Sequence, residues 1–321
     1  MIQRPYGTVF VSLGLDKIQE VFADAAIGLG RARIFAQFEL LMRSYRKAWS
    51  EVIPVKFEYY RATDVSDAID VLASARDAKV IAGGHSLLPL MKLRFASPMT
   101  LVDIGRISSL SYILDRGEYV AIGALTSLRD IETSPILKTS VPILSYAASF
   151  VGDPSVRHRA TIGGSVVHGD AAGDLPSVML AVGATVVLQG PDGKRSVSVD
   201  DFFLGFLETN INFDEVLLEI QVPKSDAGWA YEKFNRRAQD WAIVGVAVLG
   251  GKSPRVSLIN MASTPIRAFA CEDALVAGGS IKEAADLVSS DLDPPEDLNA
   301  TSAFRSHLAN VLVRRALERS L

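Results

Sequence analysis

Two short segments of the sequence each carry a pair of adjacent glycines between similar flanks. One reads Ile81-Ala82-Gly83-Gly84-His85-Ser86, and the other reads Ala160-Thr161-Ile162-Gly163-Gly164-Ser165. We predict that each pair follows a strand directly. Glycine lacks a Cβ atom, so it adopts positive φ easily and lets backbone N–H groups approach a ligand closely. Two such turns facing each other would form an anion-binding concavity for one diphosphate.

Backbone amides at these turns could bind a phosphate group without a charged side chain. A hydrogen bond from an N–H group to an ionised oxygen contributes about 1.5–3 kcal/mol, so about four or five of them could supply much of a cofactor's affinity. No Gly-Lys-Ser/Thr follows either pair, and neither fits GxGxxG, which disfavours Walker-type and Rossmann-type nucleotide sites. The alternative is that each pair only makes a tight turn, but the matching flanks favour a shared ligand.

Charge and cysteine content exclude several classes of function. The formal net charge of -4 over 321 residues gives no basic field for nucleic acid. The single cysteine, Cys271, cannot hold an iron–sulfur cluster, which normally takes four thiolates, or a cysteine-rich zinc site. The four histidines show no metal-ligand spacing, and no nucleophile with a base partner appears. We therefore expect no metal and no catalytic side chain in this chain.

The apolar patterns divide the chain into three parts. Residues 1–51 show apolar residues at helical spacing, the pattern from residue 53 to about 225 is typical of an α/β domain, and residues 226–321 form a separate part with strands before helices. The longest strongly apolar run, Val178 to Leu188, is about half of the roughly 20 residues that a membrane helix needs. We expect no transmembrane segment and a cytoplasmic location.

Individual helices and strands follow from the same patterns. The predicted helices are 65–75, 127–133, 142–148, 175–182, 268–277, 281–289 and 302–317. The predicted strands are 79–82, 100–103, 119–123, 185–189, 216–222, 230–234, 241–249 and 255–261. The turn Gln189-Gly190-Pro191-Asp192-Gly193-Lys194 predicts a hairpin.

The glycine segments with their flanks resemble the two flavin signatures of a known family. Val80 to Pro89 and Arg159 to Ser165 are similar to those of the FAD-binding medium subunits of molybdenum hydroxylases, typified by aerobic carbon monoxide dehydrogenase and xanthine dehydrogenase. The likeness runs from residue 53 to about residue 319. Further segments that carry it are Gly123-Ala124-Leu125-Thr126, Gly152-Asp153, Ala172-Gly173-Asp174-Leu175-Pro176, Tyr231-Glu232-Lys233-Phe234 and the stretch from Asn260 to Ala268.

The resemblance implies an α+β fold with a two-part FAD-binding domain of the PCMH/vanillyl-alcohol-oxidase type, in which residues 52–108 and 109–225 are the two subdomains. A C-terminal domain with a three-stranded antiparallel sheet and helices would follow it. The implied activity is that of an oxidoreductase subunit, in which FAD receives electrons from iron–sulfur clusters of a partner and delivers them to quinone, NAD or oxygen. The implied partners are a molybdopterin-binding large subunit and a 2Fe-2S small subunit, in a heterotrimer doubled by symmetry.

The resemblance also implies which residues hold the FAD. The two turns would hold the diphosphate, Asp174 would bond to flavin or ribose hydroxyls, and Lys233 would lie near the flavin. The complete implied set is Ile81, Ala82, Gly83, Gly84, His85, Ser86, Leu87, Ala124, Thr126, Gly152, Ala160, Thr161, Ile162, Gly163, Gly164, Ser165, Asp174, Leu218, Lys233 and Trp241. His85 and His168 follow the turns and are expected at the cofactor edge, with the FAD held non-covalently.

Three members of that set have other readings. Asp174 could cap a helix that starts at Leu175 with a proline in its first turn. Lys233 could be a solvated strand lysine. Trp241, at the position where the family often has a tyrosine over the flavin ring, could cover the ring or be a buried core aromatic.

Two other functions remain open. One is a self-contained flavin oxidase or reductase of the same fold, and the other is a non-catalytic scaffold whose glycine turns are only structural. Residues 1–51 lie outside the resemblance, and we hypothesise that translation begins at Val52 through a non-ATG codon. If residues 1–51 are native, their amphipathic pattern predicts a helix for a partner or a membrane surface.

Overall fold

The computed structural model describes residues 53–290 and 292–321. The amphipathic segment predicted in residues 1–51 and the proposed start at Val52 lie outside the described residues. The described chain falls into two compact units, of which the larger comprises residues 56–90 and 96–321. In the other unit, residues 91–95 contain a turn in which the Arg94 N–H donates to the Met91 carbonyl.

The first sheet has three parallel strands in the order β1-β3-β2. These are β1 (Glu58–Arg61), β2 (Ala78–Ile81) and β3 (Thr100–Asp103), with helix α1 (Val65–Ser74) between β1 and β2 and helix α2 (Leu87–Lys92) after β2. Helix α1 begins where the Asp64 side chain accepts a hydrogen bond from the Asp67 N–H. It buries Ala68, Ile69 and Leu72 on one face, as the sequence predicts.

The second sheet has five antiparallel strands in the order β4-β5-β10-β6-β7. They are β4 (Ile113–Asp115), β5 (Tyr119–Gly123), β6 (Thr185–Gly190), β7 (Gly193–Ser198) and β10 (Val216–Pro223). Six helices lie between β5 and β6 in the chain: α3 (Leu128–Thr133), α4 (Pro135–Ser140), α5 (Pro142–Ala148), α6 (Pro154–Arg159), α7 (Ile162–His168) and α8 (Asp174–Val182). Gly190 pairs with Gly193, which confirms the predicted hairpin.

The third sheet has four antiparallel strands in the order β11-β12-β13-β14, one more than predicted. They are β11 (Trp229–Phe234), β12 (Val244–Leu249), β13 (Arg255–Ile259) and β14 (Ile266–Arg267), followed by α9 (Phe269–Val276), α10 (Ile281–Asp286) and α11 (Ser302–Ser320). Strand β14 escapes prediction because two residues are too short to show an alternating pattern. A separate hairpin pairs β8 (Phe203–Gly205) with β9 (Glu208–Thr209).

Helix α8 joins the second and third sheets. Every residue of α8 is buried. The Ser177 hydroxyl donates to the Leu258 carbonyl at 2.9 Å, and the Ser257 hydroxyl donates to the Ser177 carbonyl at 2.6 Å. This contact brings the first residue of α8, Asp174, against strand β11. Among the described residues no helix is both long and apolar enough to cross a membrane.

The prediction that the second glycine pair follows a strand is wrong. Gly163 and Gly164 lie in the first turns of helix α7, and helix α6 precedes them. Glycine and valine are weak helix formers, so a short helix containing both leaves no periodic signal. Its start is fixed by Thr161, whose side chain accepts a hydrogen bond from the Gly164 N–H. Helices α2, α4 and α6, each six residues long, were not predicted either.

Candidate functional site

A cleft of about 440 Å³ lies between the end of strand β2 and helix α7. The turn after β2, residues 82–86, lines this cleft, and so do residues 160, 161, 163–165, 167 and 168 in and before helix α7. A glycine allows the two sides of the cleft to approach each other closely. A Cβ atom on Gly83 would lie 2.1 Å from the carbonyl oxygen of Arg159, so only glycine permits this approach of the two backbones.

The first glycine turn lines the cleft and, within the described residues, has backbone amides without a protein acceptor. Among the residues that the structure describes, the N–H groups of Gly83, Gly84, His85 and Ser86 have no protein acceptor. Gly84 has φ 76°, in the left-handed region that glycine adopts most easily. Gly83, Gly84 and Ser86 are half-buried and His85 is exposed. Half-buried N–H groups normally have partners, so this run of free donors fits an anionic ligand such as the diphosphate of FAD.

The second glycine pair has a different role from the first. The Ile162 N–H donates to the Thr126 carbonyl at 3.0 Å, and the Gly163 N–H donates to the Ala124 carbonyl at 2.9 Å. The Gly164 N–H donates to Thr161 Oγ1 at 3.2 Å. These amides are therefore already bonded within the protein. A Cβ atom on Gly163 would lie 2.7 Å from the Ala124 Cβ, so this glycine allows helix α7 to pack closely, and its N–H is bonded within the protein instead of being free for a ligand.

Most of the predicted cofactor residues line the cleft. Those brought together there are Ile81, Ala82, Gly83, Gly84, His85, Ser86, Leu87, Ala124, Ala160, Thr161, Gly163, Gly164 and Ser165. His168, expected at the cofactor edge, also lines it, and burial lowers its pKa, with Asp170 opposing the shift. The residue set was predicted from a resemblance, and its contact with FAD remains a prediction.

Seven predicted residues do not line the cleft. The Thr126 hydroxyl donates to the Tyr112 carbonyl at 2.9 Å, and the Gly152 carbonyl accepts a hydrogen bond from Arg157 at 3.2 Å. Ile162 and Leu218 are buried in hydrophobic clusters. The remaining three are Asp174, Lys233 and Trp241.

Asp174 and Lys233 form a buried ion pair. Lys233 Nζ lies 3.0 Å from Asp174 Oδ2, and the two side chains are 2% and 6% exposed, respectively. The Tyr231 hydroxyl donates to Asp174 Oδ1 at 2.5 Å, and Lys233 Nζ also donates to the Phe150 carbonyl at 3.1 Å. Burial raises the pKa of Asp174, while Lys233 and the Tyr231 hydroxyl oppose that rise.

These contacts exclude the alternative role of each residue, the solvated lysine for Lys233 and the helix cap for Asp174. Lys233 is not a solvated strand lysine, because its side chain is almost completely buried. Asp174 is not a helix cap, because Gly173 holds the cap position and Asp174 is the first helical residue, with its side chain bonded to strand β11. The pair fixes the start of α8 on the third sheet. The loop that carries Trp241 connects two strands of that sheet.

Trp241 lies on the loop between β11 and β12 and is 61% exposed, so it is not a buried core aromatic. The residues after it are tightly held. The Asn260 side-chain amide donates to the Ala242 carbonyl at 2.8 Å, and Arg305, which is completely buried, donates to the Ile243 carbonyl. An anchored loop with an exposed indole is compatible with stacking on a flavin ring, and that role stays a prediction.

The resemblance and the glycine argument missed several residues of the cleft. Lys79, Leu207, Ile211, Asn212 and Phe213 line it as well. Because the last four follow β8 and precede β10, the chain brings them to the glycine turns only through tertiary folding. No local motif in the sequence marks them.

Comparisons with known proteins agree with the geometry. A family model described as the FAD binding domain in molybdopterin dehydrogenase matches residues 55–225. A second, described as the CO dehydrogenase flavoprotein C-terminal domain, matches residues 229–320.

Two relatives and two solved structures illustrate the likeness. The chain is 42% identical to the carbon monoxide dehydrogenase medium chain of Hydrogenophaga pseudoflava, over 83% of this chain and 97% of that one. It is 35% identical to the glyceraldehyde dehydrogenase medium chain of Sulfolobus acidocaldarius, over 83% and 98%. The solved carbon monoxide dehydrogenase from Hydrogenophaga pseudoflava matches with a TM-score of 0.81 and 43% identity, over 84% and 98% of the two chains. Quinoline 2-oxidoreductase from Pseudomonas putida matches with a TM-score of 0.78 and 31% identity, over 84% and 98%.

Replacing Lys233 with methionine tests the buried pair. Lys233→Met leaves Asp174 buried without its cation, so we expect the free energy of unfolding at pH 8 to fall by about 3–5 kcal/mol. Burial already raises the pKa of Asp174, and a protonated carboxyl needs no cation. The deficit relative to wild type should therefore shrink as the pH falls toward 5, as measured by urea unfolding at both pH values.

The double variant Asp174→Asn with Lys233→Met is the matched control. It removes both charges, so it should recover part of the stability that Lys233→Met loses at pH 8. A Lys233→Met deficit that grows toward acid pH, or one below about 1 kcal/mol, would contradict the assignment of a compensating ion pair.

Replacing Gly83 with alanine tests the close approach at the cleft. The added Cβ would meet the Arg159 carbonyl oxygen, so the turn must shift and its free amides must move. We expect FAD affinity, measured by titration of the apoprotein, to fall at least about tenfold, a change of about 1.4 kcal/mol. Gly117→Ala is the control, because Gly117 also has positive φ but a Cβ there meets nothing within 4 Å. Unchanged FAD affinity in Gly83→Ala would show that the approach is not needed.

Proposed function

The chain belongs to the family of FAD-binding medium subunits of molybdenum hydroxylases, and we propose that its cleft holds the FAD diphosphate at the free amides of residues 83–86. The observation that carries this proposal is the run of four N–H groups that have no acceptor within the described part of the chain, at a cleft where only glycine permits the approach of the two backbones. As in the family, the chain is an FAD-dependent electron-transfer subunit of an oxidoreductase.

The chain's own residues bind, orient and shield the cofactor. When bound, FAD supplies the electron-carrying chemistry. The residues of the first glycine turn would bind the diphosphate, and the exposed Trp241 would cover one face of the flavin ring. The buried pair of Asp174 and Lys233 would position the third sheet, and with it the Trp241 loop, without touching the reacting atoms. We assign no catalytic side chain.

We further propose that the electrons come from iron–sulfur clusters in another subunit. Cys271 is completely buried, and burial raises the pKa of its thiol to about 12, so it is unsuited to act as a thiolate ligand. The relatives are named as medium chains or medium subunits, which supports a molybdopterin-binding large subunit and a 2Fe-2S small subunit as partners. Two heterotrimers would pair by symmetry, and quinone, NAD or oxygen would accept the electrons.

The domain boundaries belong to the same proposal. Residues 52–108 and 109–225 would be the two parts of the FAD-binding domain, and residues 226–321 the C-terminal domain. The three sheets support this division, since each takes its strands from one of these ranges. We also propose that the complex works in the cytoplasm.

Flavin release and complex formation test this function. The purified chain should be yellow, and acid precipitation should release its flavin into the supernatant, because no covalent bond is expected. Co-expression with the two proposed partner chains should give one complex on size exclusion, with substrate-dependent reduction of an electron acceptor.

The same chain purified alone is the control for turnover. It should bind FAD but should not oxidise the substrate of the complex. Turnover by the isolated chain would instead support the self-contained oxidase or reductase. A chain that stays colourless after addition of FAD would support the scaffold.

A further inference from the structure

The loop that carries Trp241 has little regular structure of its own. It comprises residues 235–243, between strands β11 and β12, and most of residues 236–241 are exposed. Its base is closed by a hydrogen bond from the Ile243 N–H to the Phe234 carbonyl at 2.8 Å. Exposed segments with few internal contacts open easily. A fixed position of the indole therefore needs contacts from other parts of the chain.

Two side chains from other elements bind the backbone directly after Trp241. The Asn260 side-chain amide donates to the Ala242 carbonyl at 2.8 Å, and the Arg305 guanidinium donates to the Ile243 carbonyl. Asn260 follows strand β13, and Arg305 lies on helix α11. The two carbonyls are consecutive and peptide units are planar, so these hydrogen bonds fix the direction of the chain at the end of the loop. They thereby restrain the backbone of Trp241.

Asn260 also connects this loop to the FAD-binding domain. Its N–H donates to the Ala171 carbonyl at 2.7 Å, and Ala171 lies within residues 55–225, which match the family model of that domain. Its φ is 62°, in the left-handed region that asparagine tolerates better than most residues with a side chain. In this conformation the backbone of Asn260 bonds to Ala171 while its side chain bonds to Ala242. One residue thus fixes the Trp241 loop relative to the FAD-binding domain.

Arg305 is completely buried, which is costly for a guanidinium. Among the described residues its ion-pair partner is Asp297, whose Oδ2 lies 2.8 Å from Arg305 Nη2, and Arg305 Nε has no hydrogen-bond acceptor. The Asp297 side chain is 44% exposed, so water could solvate it without the arginine. Replacement of a buried charge by an apolar side chain is often neutral or stabilising. The burial of Arg305 is therefore explained better by the Ile243 carbonyl that it binds than by the stability of helix α11.

The first arm of the loop contacts the same segment as Arg305 does. Arg236 Nη1 donates to Asn299 Oδ1 at 3.2 Å, and the Asn299 N–H donates to Asp297 Oδ1 at 2.8 Å. Arg236 and Asn299 are exposed, where a hydrogen bond exchanges readily with water and contributes little. The restraint on the loop therefore depends mainly on Asn260 and Arg305.

We propose that Arg305 and Asn260 are positioning residues that hold the Trp241 indole at the flavin ring. The proposal rests on the proposed function, since it assumes that Trp241 covers one face of the flavin. Both residues act through the backbone of residues 242 and 243, and neither lines the cleft. Loss of either contact should leave the diphosphate bound at the first glycine turn and should uncover the flavin ring.

Flavin fluorescence of the full, FAD-loaded chain tests the proposal. An indole stacked on a flavin ring quenches the flavin emission, so Trp241→Ala defines the emission of the uncovered flavin. Arg305→Met and Asn260→Gly should each raise the emission by at least about half of that gain. Glycine keeps the positive φ of residue 260 and removes only the side-chain amide. The dissociation constant of FAD, titrated into the apoprotein, should stay within about fivefold of wild type in both variants.

The double variant Trp241→Ala with Arg305→Met separates positioning from a general loosening of the chain. If Arg305 acts through Trp241, the double variant should show the same emission as Trp241→Ala alone. Arg314→Met is the matched control, because Arg314 lies on the same helix but its side chain is 55% exposed and pairs with Glu318. It should leave the flavin emission unchanged.

Proteolysis of the apoprotein tests the restraint on the loop without any flavin. Trypsin cleaves after arginines in segments that open, and the Arg237 side chain is 80% exposed. In Arg305→Met and in Asn260→Gly, the rate of cleavage after Arg237 should rise by about fivefold or more, because the loop opens more often. Arg314→Met should be cleaved there at the wild-type rate.

Unchanged emission or unchanged cleavage in both Arg305→Met and Asn260→Gly would overturn the proposal, and Asn260→Gly decides alone if Arg305→Met does not fold. A further rise in emission when either change is added to Trp241→Ala would also overturn it, as would unchanged emission in Trp241→Ala itself. Failure of the proposed function looks different: wild type would bind no FAD, and the cleavage rates of the apoprotein would still decide whether the two residues hold the loop.

Discussion

The candidate site depends on two places where backbones touch because the side chain is absent. At Gly83 the turn after strand β2 meets the Arg159 carbonyl, and at Gly163 helix α7 meets Ala124. Together these two contacts place the end of the parallel sheet and the end of the antiparallel sheet next to helix α7. A single methyl group at either place would separate these elements by more than close packing tolerates, so the cleft exists only while both residues are glycine.

The two glycine pairs look alike in the sequence but have different roles in the structure. Within residues 53–290 and 292–321, the amides of the first pair have no protein acceptor, whereas the amides of Gly163 and Gly164 are bonded to Ala124 and Thr161. The first pair thus supplies hydrogen-bond donors, and the second allows helix α7 to pack closely against Ala124. Polar binding through fixed backbone groups needs both, because free amides are effective only if the surrounding chain holds them in place.

The sequence predicted the regular elements well where patterns are long. Helices α1 and α11, of 10 and 19 residues, follow directly from apolar spacing, whereas the six- and seven-residue helices beside the cleft are too short for periodicity to mark them. The two glycine segments could be identified because adjacent glycines indicate a special local backbone conformation in the sequence itself. The burial of Lys233 and the apolar wall at Leu207 and Phe213 could not be found, because both result from contacts between segments far apart in the chain.

The position of the diphosphate is the most direct test of this account. A crystal structure of the full chain with bound FAD measures it. The account predicts diphosphate oxygens within about 3 Å of backbone nitrogens among Gly83, Gly84, His85 and Ser86, the usual distance for such hydrogen bonds. A diphosphate held elsewhere, with these four amides bonded only to water, would contradict it.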